Sequence, residues 1–324
     1  MKAPFVWFGG KRRVAPEVWA ALGDVPNYIE PFAGSLAVLL GRPHDMSNGT
    51  RRAETVNDAD GFLANFWRAL AHDPEAVAHW CDWPVNEVDL FARHLWLVNT
   101  GRSRLLEGME ADPDFYDAQV AGWWVWGVNA WIGSGWCSGK GPWKHDAAGQ
   151  GVNRKLPHLG NAGRAGYNNM EYRPNVLGYF EELAGRLRDV RVCCGDWSRV
   201  CTSGAMSHGS KVGVFLDPPY LGDVRAADLY AVDDHTIAHA VRDWCLEHGD
   251  DPRLRIVLAG YRAEHDDLMP DTWRRHYYSA SAAYSTTESA ARQDGNHANR
   301  ANEVLWFSPH CVTPDRQGEL WEAL

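Results

Sequence analysis

The sequence lacks the signatures of several common protein classes. It has seven cysteines but no Cys-x-x-Cys pair, which predicts reduced and mostly buried thiols instead of a disulfide framework or a metal site. No apolar run approaches the length of a membrane span, and the N-terminus has neither the long apolar region nor the cleavage site of a signal peptide. The protein is therefore expected to stay in the cytoplasm, without membrane contact.

Positive charge is outweighed by negative charge, since 42 acidic residues against 32 basic ones give a formal net charge of −10. By itself this balance disfavours nucleic acid, whose phosphates are neutralised by Lys and Arg. The segment 139–173 is the exception, with six basic and two acidic residues. We interpret this segment as a local nucleic-acid-binding region, and the alternative is a solvated loop. The candidate contact residues in and just before it are Trp136, Lys140, Lys144, Arg154, Lys155 and Arg164.

Strand and helix patterns alternate in the two outer parts of the chain but not in the middle. The predicted strands lie at 28–29, 54–56, 187–194, 211–216, 254–259 and 304–307, and the predicted helices at 60–71, 75–99 and 235–248. This alternation predicts an α/β fold, with a Rossmann-like, mostly parallel sheet and helices on both faces. We therefore expect one domain from 1–71 and 177–324, and an inserted, mainly helical and loop region at 72–176.

The segment VFLDPPY, residues 214–220, ends an apolar strand in a carboxylate. The amino nitrogen of a nucleobase is a poor nucleophile, because its lone pair is delocalised into the ring. Asp217 and the Pro218 carbonyl can accept its two hydrogens while Pro219 keeps the backbone rigid, and Tyr220 can stack on the base. The segment predicts methyl transfer to the amino group of a base flipped out of a duplex. The alternative is a simple turn at a strand end.

The segment FVWFGGKRR, residues 5–13, sets a glycine turn and a lysine beside two aromatic residues, Trp7 and Phe8. Gly9 and Gly10 permit close approach of the backbone to a ligand. Lys11 can pair with a ligand carboxylate, and Trp7 can cover an apolar or cationic group. The alternative is a solvated run of basic residues.

The segment YIEPFAGSLAVLL, residues 28–40, has the form of a first turn in a Rossmann-type sheet. A strand ends at Glu30, turns through Phe32, Ala33 and Gly34, and enters an apolar helix. The Gly-x-Gly-x-x-Gly pattern of dinucleotide sites is missing, so a ligand without phosphates, such as S-adenosylmethionine, is expected. A helix with a glycine at its entry is the alternative.

Two further strand ends carry acidic residues that suit the same ligand. Asp58, at the end of the second predicted strand, can accept hydrogen bonds from ribose hydroxyls. Asp196 can accept from the adenine amino group of the cofactor, with Trp197 packing nearby. Each aspartate is alternatively an ordinary turn residue.

Taken in order, FGGK, EPFAG, NDAD, a long insertion, GDW and DPPY resemble the Dam-type, alpha-class adenine-specific DNA methyltransferases. The resemblance covers about 1–70 and 177–308. Trp7, Lys11, Asp58 and Asp196 match its cofactor-contacting positions, and Asp217–Tyr220 match its catalytic motif. Ser35 departs from it, because a second glycine is common there. The region 72–176 does not match the usual target-recognition segment, so no target sequence is carried over.

The resemblance implies a site-specific adenine-N6 methyltransferase that uses S-adenosylmethionine and double-stranded DNA, of the phage or restriction-modification type. It assigns target recognition and DNA binding to 72–176. A cognate restriction nuclease is one candidate partner, and a monomer is expected. Several alternatives stay open on the sequence: cytosine-N4 methylation, an RNA or protein-glutamine acceptor, a silent DNA-binding module that keeps the fold, and a small-molecule α/β enzyme.

Overall fold

The computed structural model describes residues 1–5, 7, 9–43, 52–131, 136–137, 144–145, 152–153, 175–219, 234–278 and 303–313, with only the backbone at 144–145, 152–153 and 234–236. Its contacts divide the chain into two compact units. We call Met1–Trp7 with Ala59–Gly195 the helical unit. We call Phe8–Asp58 with Asp196–Leu324 the sheet unit.

Helices and strands are numbered in chain order. The helices are α1 (Ala15–Leu22), α2 (Ala37–Leu40), α3 (Gly61–His72), α4 (Pro74–Cys81), α5 (Glu87–Trp96), α6 (Arg102–Ala111), α7 (Ala118–Ala130), α8 (Val176–Leu187), α9 (Asp234–His248) and α10 (Arg262–His265). The strands are β1 (Asn27–Glu30), β2 (Ala53–Asp58), β3 (Lys144–His145), β4 (Val152–Asn153), β5 (Val190–Cys194), β6 (Val212–Leu216), β7 (Leu254–Tyr261), β8 (Arg274–Tyr278) and β9 (Glu303–Phe307). Short 3-10 turns span Lys11–Arg13, Trp197–Val200 and Ala205–Ser207, and a π-helical turn spans Leu97–Gly101.

The strands of the sheet unit lie in the order β2-β1-β6-β7-β9-β8. The first four are parallel, whereas β9 runs antiparallel to both β7 and β8. Every residue of β1 and β6 is buried, as expected for interior strands of a parallel sheet. The sequence of β6, VGVFL, is accordingly apolar, whereas β1, NYIE, also buries the polar residues Asn27 and Glu30.

Acidic residues collect at one edge of this sheet. Glu30 and Asp58 end β1 and β2, and Asp217 directly follows β6. Because β9 is antiparallel, its first residue, Glu303, pairs with Tyr261 at the end of β7 and so lies at the same edge. Ligands of open α/β sheets bind outside the carboxyl ends of the strands, so this edge is where a site is expected.

Helices flank the sheet on both faces. An added Cβ at Gly213 of β6 would lie 2.9 Å from Val25 and 3.4 Å from Leu22, so a glycine lets α1 approach closely there. An added Cβ at Gly260 of β7 would lie 2.7 Å from His265 of α10. Gly213 pairs with Arg255, and Gly260 lies an odd number of residues further along β7, which puts the two glycines on opposite faces. The predicted α/β class is therefore confirmed.

The helical unit has an aromatic core. The Phe5 ring lies 5.2 Å from that of Trp124 and 5.6 Å from that of Phe66, with edge-to-face geometry in both pairs. Trp124, Trp126 and Trp131 are buried in this unit. The neighbouring Trp123 is half-buried.

Some predicted boundaries were wrong for local reasons. The predicted helix 75–99 is interrupted after Cys81, since the residue before Pro84 disfavours helix, and α5 restarts with Asn86 accepting a hydrogen bond from the Asp89 amide. The strand expected from Leu187 begins at Val190, because Leu187 ends α8. Strand β8 was not predicted.

The compact units do not coincide with the predicted division of the chain. Segments 59–71 and 177–195, assigned to the main domain from the sequence, lie in the helical unit. The functional division into a catalytic domain (1–71 and 177–324) and a target-recognition region (72–176) stays a prediction. All seven cysteines are free and five of them are buried, as expected. Among the described helices, none is long and apolar enough to cross a membrane.

Candidate active site

Asp217 is held by an ion pair with Lys11. The Lys11 Nζ atom lies 3.0 Å from Oδ1 of Asp217, and the lysine side chain is only 5% exposed whereas that of Asp217 is 21% exposed. The carboxylate is thus anchored from inside the protein yet accessible from outside. Pro218, which follows, is buried and Pro219 is half-buried, while Tyr220 lies outside the described residues.

Three oxygen atoms surround the buried ammonium group of Lys11. Besides Asp217, Nζ donates a hydrogen bond to the Gly9 carbonyl at 2.7 Å and lies 3.8 Å from Oε2 of Glu303. Gly9 has a φ of 72°, a left-handed conformation that favours glycine. The predicted glycine turn, which continues through Gly10, therefore folds its carbonyl back onto the lysine. The predicted pairing of Lys11 with a cofactor carboxylate stays a prediction.

Glu30 is a buried carboxyl group next to this cluster. Its Oε2 atom accepts hydrogen bonds from the Tyr28 hydroxyl at 2.9 Å and from the Leu39 amide at 3.3 Å. Burial raises the pKa of Glu30 to about 8, the two hydrogen bonds oppose the rise, and the negative charges of Asp217 and Glu54 add to it. At neutral pH Glu30 therefore mostly keeps its proton and adds little negative charge beside Asp217.

The turn after β1 is clamped to the end of β2. The Gly34 amide donates to Oδ2 of Asp58 at 3.0 Å, and the Asn57 side chain donates to the Pro31 carbonyl at 3.0 Å. The amide of Ala33 also donates to the Asn57 carbonyl at 2.9 Å. Asp58 is buried, so it holds the turn from the interior of the protein. The predicted contact of Asp58 with a ribose stays a prediction.

The same turn contains a left-handed leucine. Gly34 has a φ of 47°, and Leu36, which precedes α2, has a φ of 54°. A bulky residue in this region costs roughly 1–2 kcal/mol, and complete burial of the Leu36 side chain holds it there. Ser35, which departs from the family pattern, sits buried between the two.

The segments that contain Phe32 and Trp197 meet at the surface of the sheet unit. The two rings are stacked with centroids 6.1 Å apart and planes 27° apart, and both side chains are half-buried. Asp196 is exposed, and its Oδ1 accepts from the Ser198 amide at 2.9 Å, which starts the 3-10 turn. The predicted cofactor motifs EPFAG and GDW are thus neighbours in this unit.

Two predicted contact residues lie in the helical unit. Trp7 is half-buried there and packs on Phe5 and Trp124, with ring centroids 5.9 and 6.4 Å away. Trp136, a candidate nucleic-acid contact, is half-buried, and its indole nitrogen donates to the Trp124 carbonyl at 3.1 Å. Its ring also lies against Gly127, where an added Cβ would fall within 1.8 Å of it.

The other predicted contacts fall where less is described. Lys144 begins β3, of which only the backbone is described. Residues outside the described part of the chain are Phe8, Lys140, Arg154, Lys155 and Arg164. The roles of Trp136 and of these residues in cofactor or DNA binding stay predictions.

Sequence reasoning missed Glu303 and Asn57 as parts of the site. Glu303 reaches it only through the antiparallel pairing of β9 with β7, for which the sequence gives no signal. Asn57 could have been found, since it precedes Asp58 at a strand end and an amide side chain there suits backbone carbonyls.

A family model for D12 class N6 adenine-specific DNA methyltransferases matches residues 7–86. The match covers the FGGK, EPFAG and NDAD motifs and ends before Asp217. Among curated proteins, no relative matches the chain. The matched motifs supply Lys11, Glu30 and Asp58 to the edge where Asp217 lies, in a sheet whose fold is consistent with that of S-adenosylmethionine-dependent methyltransferases. Residues 7–86 of the chain are therefore similar to the D12 class N6 adenine-specific DNA methyltransferases, a family of enzymes that use S-adenosylmethionine to methylate the N6 atom of adenine in DNA.

Proposed function

We propose that the protein methylates adenine at a defined DNA sequence, with the target base turned out of the duplex and its amino group bound by Asp217 and Pro218. The observation that carries this proposal is the ion pair of Asp217 with the buried Lys11. It fixes an acidic side chain at the carboxyl end of β6, where open α/β sheets bind their ligands. The adenine amino group cannot be reached within a stacked duplex.

The two oxygen atoms of Asp217 have different roles in this proposal. Oδ1 faces Lys11, so Oδ2 is the atom that accepts a hydrogen from the amino group. The Pro218 carbonyl accepts the second hydrogen, and the fixed φ of proline limits its movement. With both hydrogens engaged, the nitrogen lone pair is directed out of the ring plane, towards the methyl donor. Tyr220 stacks on the base.

S-adenosylmethionine, when bound, supplies an electrophilic methyl group on a sulfonium. The residues of this edge fit such a ligand, because the Gly34 turn lacks a phosphate-binding pattern while Asp196 exposes a carboxylate beside the rings of Phe32 and Trp197. We assign Asp58 to the ribose hydroxyls and Asp196 to the adenine amino group of the cofactor. Transfer of this methyl group to N6 would leave the electron pair of the broken carbon–sulfur bond on sulfur, and the proton lost by N6 would pass to the Asp217 carboxylate that accepts its hydrogen bond.

We also propose which region recognises the target DNA, the oligomeric state of the protein and its biological setting. Residues 72–176 form the target-recognition region, with phosphate contacts from its basic residues, and the protein acts as a cytoplasmic monomer in a phage or restriction-modification setting. The local excess of basic residues at 139–173 supports the first of these.

The test is methyl transfer from methyl-labelled S-adenosylmethionine to mixed-sequence duplex DNA, followed by digestion to nucleosides. Asp217→Ala should abolish label on N6-methyladenine, whereas Asp250→Ala should retain it, since Asp250 is exposed in the turn before β7 at the opposite edge of the sheet. Label on cytosine would overturn the base assignment. Undiminished labelling by Asp217→Ala would overturn the role of Asp217.

A further inference from the structure

The 3-10 turn Lys11–Arg13 contains three consecutive basic residues, of which the first is buried and the other two are exposed. Lys11 is buried and its ammonium group lies against Asp217. Arg12 and Arg13 are both exposed. The turn thus joins the candidate catalytic carboxylate to two surface cations on adjacent residues, whose Cα atoms are about 3.8 Å apart.

Arg12 and Arg13 have no acidic partner in the part of the chain that the structure describes. Two other exposed arginines of the sheet unit are paired with a nearby aspartate: Arg253 with Asp251 at 2.8 Å, and Arg262 with Asp266 at 2.8 Å. In a protein with a formal net charge of −10, Arg12 and Arg13 thus form two adjacent exposed positive charges that no ion pair among the described residues explains.

The turn lies at the edge of the sheet that contains Asp217 and Glu303. The turn directly precedes α1, which runs across the sheet to its opposite edge. At that opposite edge, the carbonyl of Leu22 accepts a hydrogen bond from Arg255, near the start of β7. The turn therefore lies at the end of α1 that is nearer to Asp217 and Glu303.

We propose that Arg12 and Arg13 bind backbone phosphates of the substrate DNA beside the target adenine. This inference rests on DNA as the substrate. Guanidinium groups bind phosphate with two parallel, charge-assisted hydrogen bonds, and such contacts set the position of a protein on DNA without reading its sequence.

The test compares DNA binding by Arg12→Gln/Arg13→Gln with that of the wild type, using a fluorescent mixed-sequence duplex at several salt concentrations. Each lost phosphate contact should reduce the slope of log K against log salt by about 0.9, and affinity near 0.1 M salt should fall roughly 10- to 100-fold for the double variant. Arg12→Lys/Arg13→Lys keeps both charges and should keep most of the slope.

The matched control is Arg253→Gln, which removes an exposed arginine at the opposite edge of the sheet and should leave the slope unchanged. Cofactor affinity and thermal unfolding of the double variant should equal those of the wild type, since both arginine side chains are exposed. An unaltered slope in a folded, cofactor-binding double variant would overturn the inference. A wild type that methylates no DNA would instead overturn the proposed function.

Discussion

The ammonium group of Lys11 lies 3.0 Å from the carboxylate of Asp217, so an N-terminal glycine turn and the end of a central strand share one buried cation. Glu303 lies 3.8 Å from the same cation. Lys11 therefore lies close to both carboxylates and holds Oδ1 of Asp217. This makes Lys11 a positioning residue for Asp217.

Replacing Lys11 by methionine should lower kcat at saturating cofactor. The variant keeps an unbranched side chain but leaves Asp217 and Glu303 without their cation, so we expect kcat to fall about 10- to 100-fold. Steady-state kinetics and calorimetric titration with cofactor would separate kcat from cofactor affinity. The control is Lys211→Met, which removes a surface hydrogen bond to the Pro252 carbonyl at the amino end of β6. An unchanged kcat would show that Asp217 does not depend on Lys11.

Replacing Glu30 by glutamine should change how stability depends on pH. The pKa of Glu30 is about 8 in the folded protein and near 4.5 when unfolded, so between these values the folded state holds more protons and wild-type stability falls as pH rises. The fall contributed by this group approaches about 1.4 kcal/mol per pH unit within that window. Glutamine still accepts hydrogen bonds from Tyr28 and Leu39 but does not titrate.

Urea unfolding at pH 5, 6, 7 and 8 would measure this effect. The free energy of unfolding of Glu30→Gln relative to wild type should increase from pH 5 to pH 8. Glu247→Gln, at an exposed site of α9, is the control and should show no such trend. Parallel pH profiles for wild type and Glu30→Gln would contradict the raised pKa.

Two substitutions of Asp58 should separate its support of the Gly34 turn from its proposed ribose contact. Asp58→Ala leaves the Gly34 amide without its acceptor, which should cost about 1–3 kcal/mol of stability as well as cofactor affinity. Asp58→Asn keeps an acceptor oxygen, so its stability should stay close to that of wild type while its affinity falls. Thermal unfolding and calorimetric titration would check both. Equal cofactor affinity of Asp58→Asn and wild type would refute the ribose contact.

Two glycines of the helical unit should respond oppositely to alanine. Gly127→Ala would place a methyl group within 1.8 Å of the Trp136 ring and should destabilise the protein by about 1–3 kcal/mol. At Gly185, within α8, an added Cβ meets no atom within 4 Å, so alanine should stabilise by about 0.5–1 kcal/mol. Thermal unfolding of both variants would measure the difference. A tolerated Gly127→Ala would mean that Trp136 does not pack there in solution.

The sequence was sufficient for features that depend on neighbouring residues. The apolar run before Asp217 correctly predicted β6, and the apolar positions at helical spacing before His72 correctly predicted α3. Features that depend on distant residues were missed. Glu303 joins the site through the pairing of β9 with β7, and Trp136 is covered because Gly127 leaves space for its ring. Leu36 adopts a left-handed conformation that its own side chain disfavours.

The position of β9 late in the chain also affects when the charges around Lys11 can come together during synthesis. Lys11 is made early, Asp217 later, and Glu303 only with β9, so a growing chain cannot assemble this charge cluster until most of it has left the ribosome. The contacts are far apart in sequence, and such contacts form slowly because long loops must close first. A partly made chain therefore lacks a complete set of charges around Lys11.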